Sequence, residues 1–514
     1  MRTIQLNSLQ LNAVRLNGIG ECQRVSHAGA PPVVPDVPDI PDIPEEPDVP
    51  TNPDVDENGY IIFADPEVAR ICAENWGDGI GITEAQAAAV TSLERKFRAN
   101  ANIKYFDELQ YFTSLTALGI NNASNTYAEF LNCASLERII LPTSVKTIWW
   151  HTFSGCTKLE SINLENVEYI ERAAFYGVGE IKANLSNVTY CGVRAFQNSK
   201  VSSVIFGKTS YVAGGSYDSG SFQNCTNLKE VDLTGVEEIQ GYAFDGCSSL
   251  RTIINTNNVT TIGSYAFRAI GGATLSFPAL KTLGGTSVFR SSSIVKVDSL
   301  GLLAEIPDGA YNSGVFQACK DLEYVAFPST LEYIGSYAFD GCTALKDLDF
   351  TNVKRIGNKA FSSVAQKDFY APNLEEIGSA FGSYSGTSPA LERVLSLGKI
   401  TTLPSGSYNV GAFNSCKNLR VVILPKTLTT LGDAEGNFVY CPKLEVIVCK
   451  ATTPPTYGNN LHGSGSTFKV FVPLASLEDY KTATGWSGVA SRIYAIEDIL
   501  NDYPDIYEEV GEYL

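Results

Sequence analysis

From Phe130 to Phe438 one short phrase returns fourteen times: a Phe, then Cys or a substitute three residues on, then an apolar residue three after that. Clear copies read "AFDGCSSLRTI" from Ala243, "AFDGCTALKDL" from Ala338 and "TFSGCTKLESI" from Thr152. The opening Phe residues are 130, 153, 175, 196, 222, 244, 267, 289, 316, 339, 361, 381, 413 and 438, most of them 20 to 23 residues apart. One such unit cannot bury its apolar face alone, so the copies must stack on one another. The chain is therefore expected to be a mainly β repeat solenoid. Stacked repeats make long surfaces for binding and seldom make catalytic pockets.

The stretch from Cys342 to Phe361 shows what one unit says. Leu345, Leu348 and Phe350 predict a short strand with apolar residues on its inner face. Val353 and Ile356 point inward again, Gly357 relaxes a corner, and Ala360-Phe361 closes the coil. The pattern is C-x-x-L-x-x-L-x-F-x-x-V-x-x-I-x-x-x-A-F. It resembles the leucine-rich repeats of the BspA-like (Treponema pallidum) class over about residues 110 to 450. It departs at Phe267-Arg268-Ala269-Ile270, where Ile takes the Cys place. The resemblance implies a leucine-rich repeat array with a small helical N-terminal cap and an α/β C-terminal cap. It also implies surface recognition without catalysis, since members of this class are typically secreted or surface-anchored adhesins that bind host proteins or other cells.

Eight of the twelve cysteines occupy the repeat's Cys slot: 133, 156, 225, 247, 319, 342, 416 and 441. Val178, Ile270 and Val364 fill the same slot elsewhere, which marks it as a small buried apolar position where free Cys behaves as a small hydrophobe. Neighbouring slots hold Ser, Val or Ile as often as Cys, which disfavours disulfides. No CxxC pair supports a zinc site.

A longer rhythm overlies the shorter one. The longest gaps end at Phe222, Phe316 and Phe413, which lie 94 and 97 residues apart, and Phe222 follows Phe130 by 92. Each of the four is preceded by a related insert: "NASNTYAEF", "GGSYDSGSF", "DGAYNSGVF" and "SGSYNVGAF". Cys favours the first two units of each group of four. The array thus reads as about three and a half copies of a four-coil block. A coil's core has no room for the inserts, so they must bulge from one edge. They are either neutral loops copied with the block or a repeated contact site. Tyr127, Tyr217, Tyr311 and Tyr408 recur in them, which makes these four the candidate ligand-binding residues.

The flanks divide into further segments. Residues 1–30 echo a five-residue phrase of alternating apolar and polar residues, predicting short strands that must borrow a partner. Ile4, Leu6, Leu9, Leu11, Val14 and Leu16 are the candidate assembly residues. This stretch resembles the "LNG"-rich starts of structural proteins in phages of Bacteroides, and it has no apolar core of a secretory signal. Residues 31–58 read as an acidic polyproline II linker, with Pro at every third position from 32 to 53. Three residues per turn place all eight prolines on one face, and the rod would reach roughly 75 Å. Residues 59–110 read as the helical N-terminal cap, with Pro66 at a helix start and Thr83 as an N-cap. "NWGDGIGITEAQAAAV" resembles a calcium loop that has lost its acidic ligands, so no ion is expected there. Residues 111–450 are the solenoid and 451–498 the closing cap. That cap is expected to hold a strand at Lys469–Val472 and a helix from about Ser476. Residues 499–514 are an acidic tail, either disordered or a docking segment.

Nothing in the chain reads as an enzyme. His27, His151 and His462 are the only histidines, and none lies in a known catalytic context. No cofactor and no metal are expected. The net charge of −18 argues against nucleic acid, and no apolar run has the length of a membrane span. Two functions fit. The first is a phage virion fibre or decoration component, assembled in the host cytoplasm. It would join other virion proteins or itself through residues 1–55 and bind a host-cell surface protein or polysaccharide through the solenoid. The second is a bacterial cell-surface adhesin, located outside the cell, that binds a host protein or glycan.

Overall fold

Stacked Phe rings run the length of the array. Phe97 leads, the fourteen repeat Phe residues follow, and successive ring centroids lie 4.9–6.1 Å apart with planes within 25° of parallel. That separation is favourable for aromatic pairs and near the spacing of hydrogen-bonded strands. The fold comes from a computed structural model, which describes residues 53–122, 125–382, 388–404, 411–433, 436–458 and 467–514. The strand echo of residues 1–30, most of the linker, His27, Tyr408 and His462 lie outside them.

Most coils add two short parallel strands to the Phe turn. In the second of these, one residue points into the core and its neighbour points out. Ile148, Ile170, Ile239, Ile262 and Ile334 are the buried members. Identical partners face one another in register, as Ile148 with Ile170 and Ile239 with Ile262. One continuous apolar core runs from Ile61 to Ile493, as a stack of units without separate cores requires.

The second strand column is cut at the block boundaries. Its sheets comprise 117–118 through 190–191, 211–212 through 282–284, 305–306 through 376–377, and 402–403 through 456–458, with four, four, four and three strands. Each sheet begins with the strand that feeds an insert. The four-coil block read from the spacing is therefore a unit of hydrogen bonding.

At the N-terminal end, helix α1 (Pro66–Trp76) starts on Asp65, whose side chain accepts from the Glu67 and Val68 N–H groups. Helix α2 (Glu84–Ala89) starts on Thr83 in a capping box with Gln86. Trp76 stacks on Phe97 at 6.2 Å and so carries the Phe ladder into the cap. Residues 54–58, expected to end the linker, instead belong to this cap. The Asp56 carboxylate accepts from the Asn58 and Tyr60 N–H groups and turns the chain, and Val55 then bridges Ile61.

At the other end, strand Lys469–Val472 leads to helix α3 (Leu477–Thr482), and the buried Trp486 donates to the Pro455 carbonyl at 2.9 Å. The tail forms helices α4 (Ile499–Asp502) and α5 (Pro504–Val510). The tail packs on the chain's own sheet. Ile499, Ile506 and Val510 cover the outward side chains Leu395, Val421, Ile423, Val446, Val448 and Phe471. Glu509 reaches Arg393 and Arg420, and Asp502 reaches Lys469.

One expected strand is missing. Leu345, Leu348 and Phe350 are buried as anticipated, but no strand forms there. Asp347 turns left-handed at φ 56, and the Leu348 N–H goes to Gln366 Oε1 at 3.0 Å instead of to a neighbouring strand.

Candidate recognition edge

Two left-handed corners bracket the Phe turn. One lies two residues after the Phe and takes Gly or Asn readily, as Gly155, Gly246 and Asn224 show. The other lies two residues before it and is filled by larger side chains: His151 (φ 58), Tyr242 (φ 64), Tyr265 (φ 60) and Tyr337 (φ 59). Such φ values disfavour bulky residues, and each costs on the order of 1 kcal/mol or more. Hydrogen bonds from coil to coil hold these corners, as Tyr242 N–H to Ser264 O at 3.0 Å and Tyr337 N–H to Asn358 O at 2.9 Å.

The inserts emerge beside this corner. Tyr217 is 72% exposed and Tyr311 77% exposed. Tyr217 meets Tyr242 edge-on at 6.3 Å, and Tyr242 stacks on Tyr265 at 4.7 Å. Burial raises the Tyr337 hydroxyl pKa, with Asp340 and then Tyr311 adding to the effect. Tyr127 differs from the expected tip residue. It is half-buried, and the Arg95 guanidinium lies 5.4 Å over its ring. Tyr408 and the six candidate assembly residues lie outside the described residues. Sequence reasoning missed His151, Tyr242 and Tyr337. The signal was present: in the unit after each of the first three inserts, an aromatic ring or a histidine stands two residues before the Phe, and after the fourth Gly436 takes the place.

A polar ladder runs just inside the edge. Gln197 donates to Gln223 at 2.9 Å, Gln223 to Asp245 at 2.9 Å, and Arg268 closes on Asp245 with bonds of 2.7 and 2.8 Å. One block later Gln317 donates to Asp340 at 2.8 Å. Burial raises the Asp340 pKa.

The Cys slots hold thiols that are more than apolar fillers. Each thiol but that of Cys416 is seen to donate to the Phe carbonyl of an adjacent coil at 2.9–3.2 Å, as Cys156 to Phe130 and Cys342 to Phe316. That oxygen already accepts the N–H three residues on, so Val or Ile can replace Cys without orphaning it. All eleven described cysteines are buried and unpaired, and burial pushes Cys133, Cys319 and Cys441 up to about 12. In the loop that resembles a calcium site, the Asp78 carboxylate is taken by Tyr60 and by the Ile80 and Gly81 N–H groups. Among the described residues no group of three or more His, Cys, Asp or Glu could hold a metal, and no helix is long and apolar enough to cross a membrane.

The profile of a family described as the BspA type leucine rich repeat region matches residues 106–215, 215–313, 310–399 and 395–461. No curated protein sequence matches the chain. Among solved structures, the chain is similar to a leucine-rich repeat protein from Bacteroides ovatus, with 22% identity over 61% of this chain and 83% of that one and a TM-score of 0.33. It is also similar to a leucine rich cell surface protein from Faecalibacterium prausnitzii (20% identity, 55% and 86% covered, TM-score 0.27). A third is the leucine rich repeat protein of T. pallidum (19% identity, 43% and 77% covered, TM-score 0.23).

Proposed function

The chain belongs to the BspA-type leucine-rich repeat family, and we propose that it is a non-enzymatic recognition protein whose insert edge faces its ligand. One observation carries this reading: Tyr217 and Tyr311 stand exposed four coils apart, each beside a corner tyrosine held left-handed. Tyr suits adaptable contact. Strand spacing puts successive inserts on the order of 19 Å apart, so several weak contacts could act together on one extended ligand. That ligand is a host-cell surface protein or polysaccharide.

In its finer form the protein is a fibre or decoration component of a phage virion. Residues 1–30 anchor it through Ile4, Leu6, Leu9, Leu11, Val14 and Leu16, the proline-rich segment spaces it, and the solenoid is distal. The order of these segments along the chain supports this, and so do eleven buried thiols without a disulfide, which suit assembly in a reducing cytoplasm. The alternative, favoured by the family, is a bacterial cell-surface adhesin. Antibody labelling of purified particles and of cell envelopes distinguishes the two. Changing Tyr217, Tyr311 and Tyr408 together to Ala tests the edge. Cell binding should fall far more than with any single change, at unaltered melting temperature. Unchanged binding, or collapse of the fold, would place recognition elsewhere.

A further inference from the structure

The second and third inserts are seated on the next coil by the same frame, residue for residue. Two places before each insert-bearing Phe stands a glycine, Gly220 or Gly314, and a Cβ there would collide with the carbonyl oxygen of Tyr242 or Tyr337. One place after the Phe stands a glutamine. Gln223 donates to Asp245 at 2.9 Å, and Gln317 to Asp340 at 2.8 Å. The backbone repeats the match, with Asn224 N–H to Asp245 O at 2.7 Å and Ala318 N–H to Asp340 O at 2.8 Å. Five places before the Phe, Tyr217 and Tyr311 stand exposed. The residue after each tyrosine, Asp218 or Asn312, turns left-handed at φ 58 or 65. The two inserts thus offer corresponding groups to solvent at the same register.

These groups have a definite chemistry. Each exposed ring is flanked only by small residues, Gly215-Ser216 and Ser219-Gly220 around one, Gly309-Ala310 and Ser313-Gly314 around the other. Tyr217 meets Tyr242 edge-on at 6.3 Å. Burial, then Asp340 and Tyr311, raise the Tyr337 hydroxyl pKa, which marks Tyr311 as a neighbour of Tyr337. Charge is matched within the frame. Arg268 pairs with Asp245 at 2.7 Å. Lys359 stands 5.7 Å over the Tyr337 ring, and its charge acts on Asp340 against the rise that burial causes. At the tip, Asp218 of the second insert is replaced by Asn312 in the third and Asn409 in the fourth. That change keeps an oxygen acceptor and discards its charge. An open ring, an acceptor oxygen and balanced charge suit a ligand with apolar C–H faces and donating hydroxyls.

The repetition narrows the ligand further. Two copies of one contact, shifted by four coils or on the order of 19 Å, can both engage one molecule in the same way only if that molecule repeats too. A polymer of identical units does so, and the surface of a folded protein does not. We propose that the insert edge binds a neutral polysaccharide, with Tyr217 and Tyr311 each against a sugar ring and Asp218 and Asn312 accepting from its hydroxyls. This rests on the reading of that edge as the ligand face, and selects the polysaccharide over the protein.

The test uses the full chain with Tyr408→Ala throughout, so that two inserts act. The probes are oligosaccharides of rising length from a β-glucan, an α-mannan and a galactan, with polygalacturonate as the charged counterpart. One neutral series should bind weakly while short, and about a hundredfold more tightly once it reaches from one tyrosine to the other. Tyr217→Ala or Tyr311→Ala should each abolish that gain but leave short oligomers bound, and both together should abolish binding. Tyr217→Phe with Tyr311→Phe should retain most of it, and Asp218→Asn should change little. Melting temperature should hold in all of them, since both rings are exposed. Tighter binding of polygalacturonate, or loss with Asp218→Asn, would overturn the neutral ligand. Binding without a gain in length would overturn the shared polymer. If no neutral series binds, yet loss of the three insert tyrosines still weakens attachment to cells, the polysaccharide is overturned and the edge reading stands. Sugar binding that survives both tyrosine changes would overturn the edge reading itself. A fall in melting temperature would show that the rings serve the fold and would overturn the proposal.

Discussion

The Cys247 thiol donates to the Phe222 carbonyl at 3.2 Å, while the same oxygen accepts the Cys225 N–H at 3.2 Å. One slot therefore joins two coils through packing and a weak bond. Ser292 does the same with Phe267 O at 2.8 Å. Cys247→Ala should cost about 1–2 kcal/mol through a small cavity, and Cys247→Val less. Cys247→Ser should also cost less than Ala, because its hydroxyl inherits the carbonyl. Thermal melts of the three variants check the order. Ser ranking below Ala would mean that the thiol acts by volume alone.

Glu129 makes the first coil sensitive to pH. It is buried and accepts the Arg95 N–H at 2.6 Å, and burial raises its pKa to about 7 from 4.5. The folded protein thus holds a proton that the unfolded chain releases. Stability is greatest below about pH 4.5 on this account, falls as pH rises toward 7, and then levels, by up to about 3 kcal/mol. Glu129→Gln should keep the bond to Arg95 and remove the fall. Melting temperature measured at pH 5 and pH 8 reports it: the variant should gain at pH 8 and change little at pH 5.

The tail should act as a cover for the sheet. Ile506→Asp puts a charge against Val421 and Val446 in the tail's apolar contact, and should cost about 3 kcal/mol. Removing residues 499–514 should expose an apolar patch and bring dye binding and self-association. Glu509→Gln, which removes exposed ion pairs, should cost under about 1 kcal/mol. Light scattering and a fluorescent apolar dye separate the three. A soluble, dye-silent truncation would show that the cover is dispensable.

What could be read from sequence was what repeats. The Phe positions, the Cys slots and the four-coil block were legible because one physical requirement, a buried face shared between neighbours, recurs at fixed spacing. Pro66 and Thr83 were legible as local capping chemistry. The strand at Leu345–Phe350 was overread: its apolar spacing is right, but Asp347 and Gln366 redirect the backbone, and spacing carries no φ. Tyr242 and Tyr337 were missed because a left-handed corner is normally sought at Gly. The thiol bonds were hidden because Val and Ile fill the same slot. The tail's dock could not be foreseen, since its partners Leu395 and Phe471 lie far along the chain and face away from the core.

The cuts in the second strand column have a consequence for how such a chain changes length. At each block boundary one hydrogen-bonded sheet has already ended, so the Phe turn with its bonds and the first strand column are what cross the seam intact. A recombination that adds or removes about four coils there joins surfaces already shaped for one another. The binding edge can then lengthen or shorten in steps on the order of 19 Å. Each step arrives with its own insert, corner residue and core. Reach and valence would thus be inherited as whole numbers, while the residues at the insert tips stay free to vary with whatever surface the protein meets.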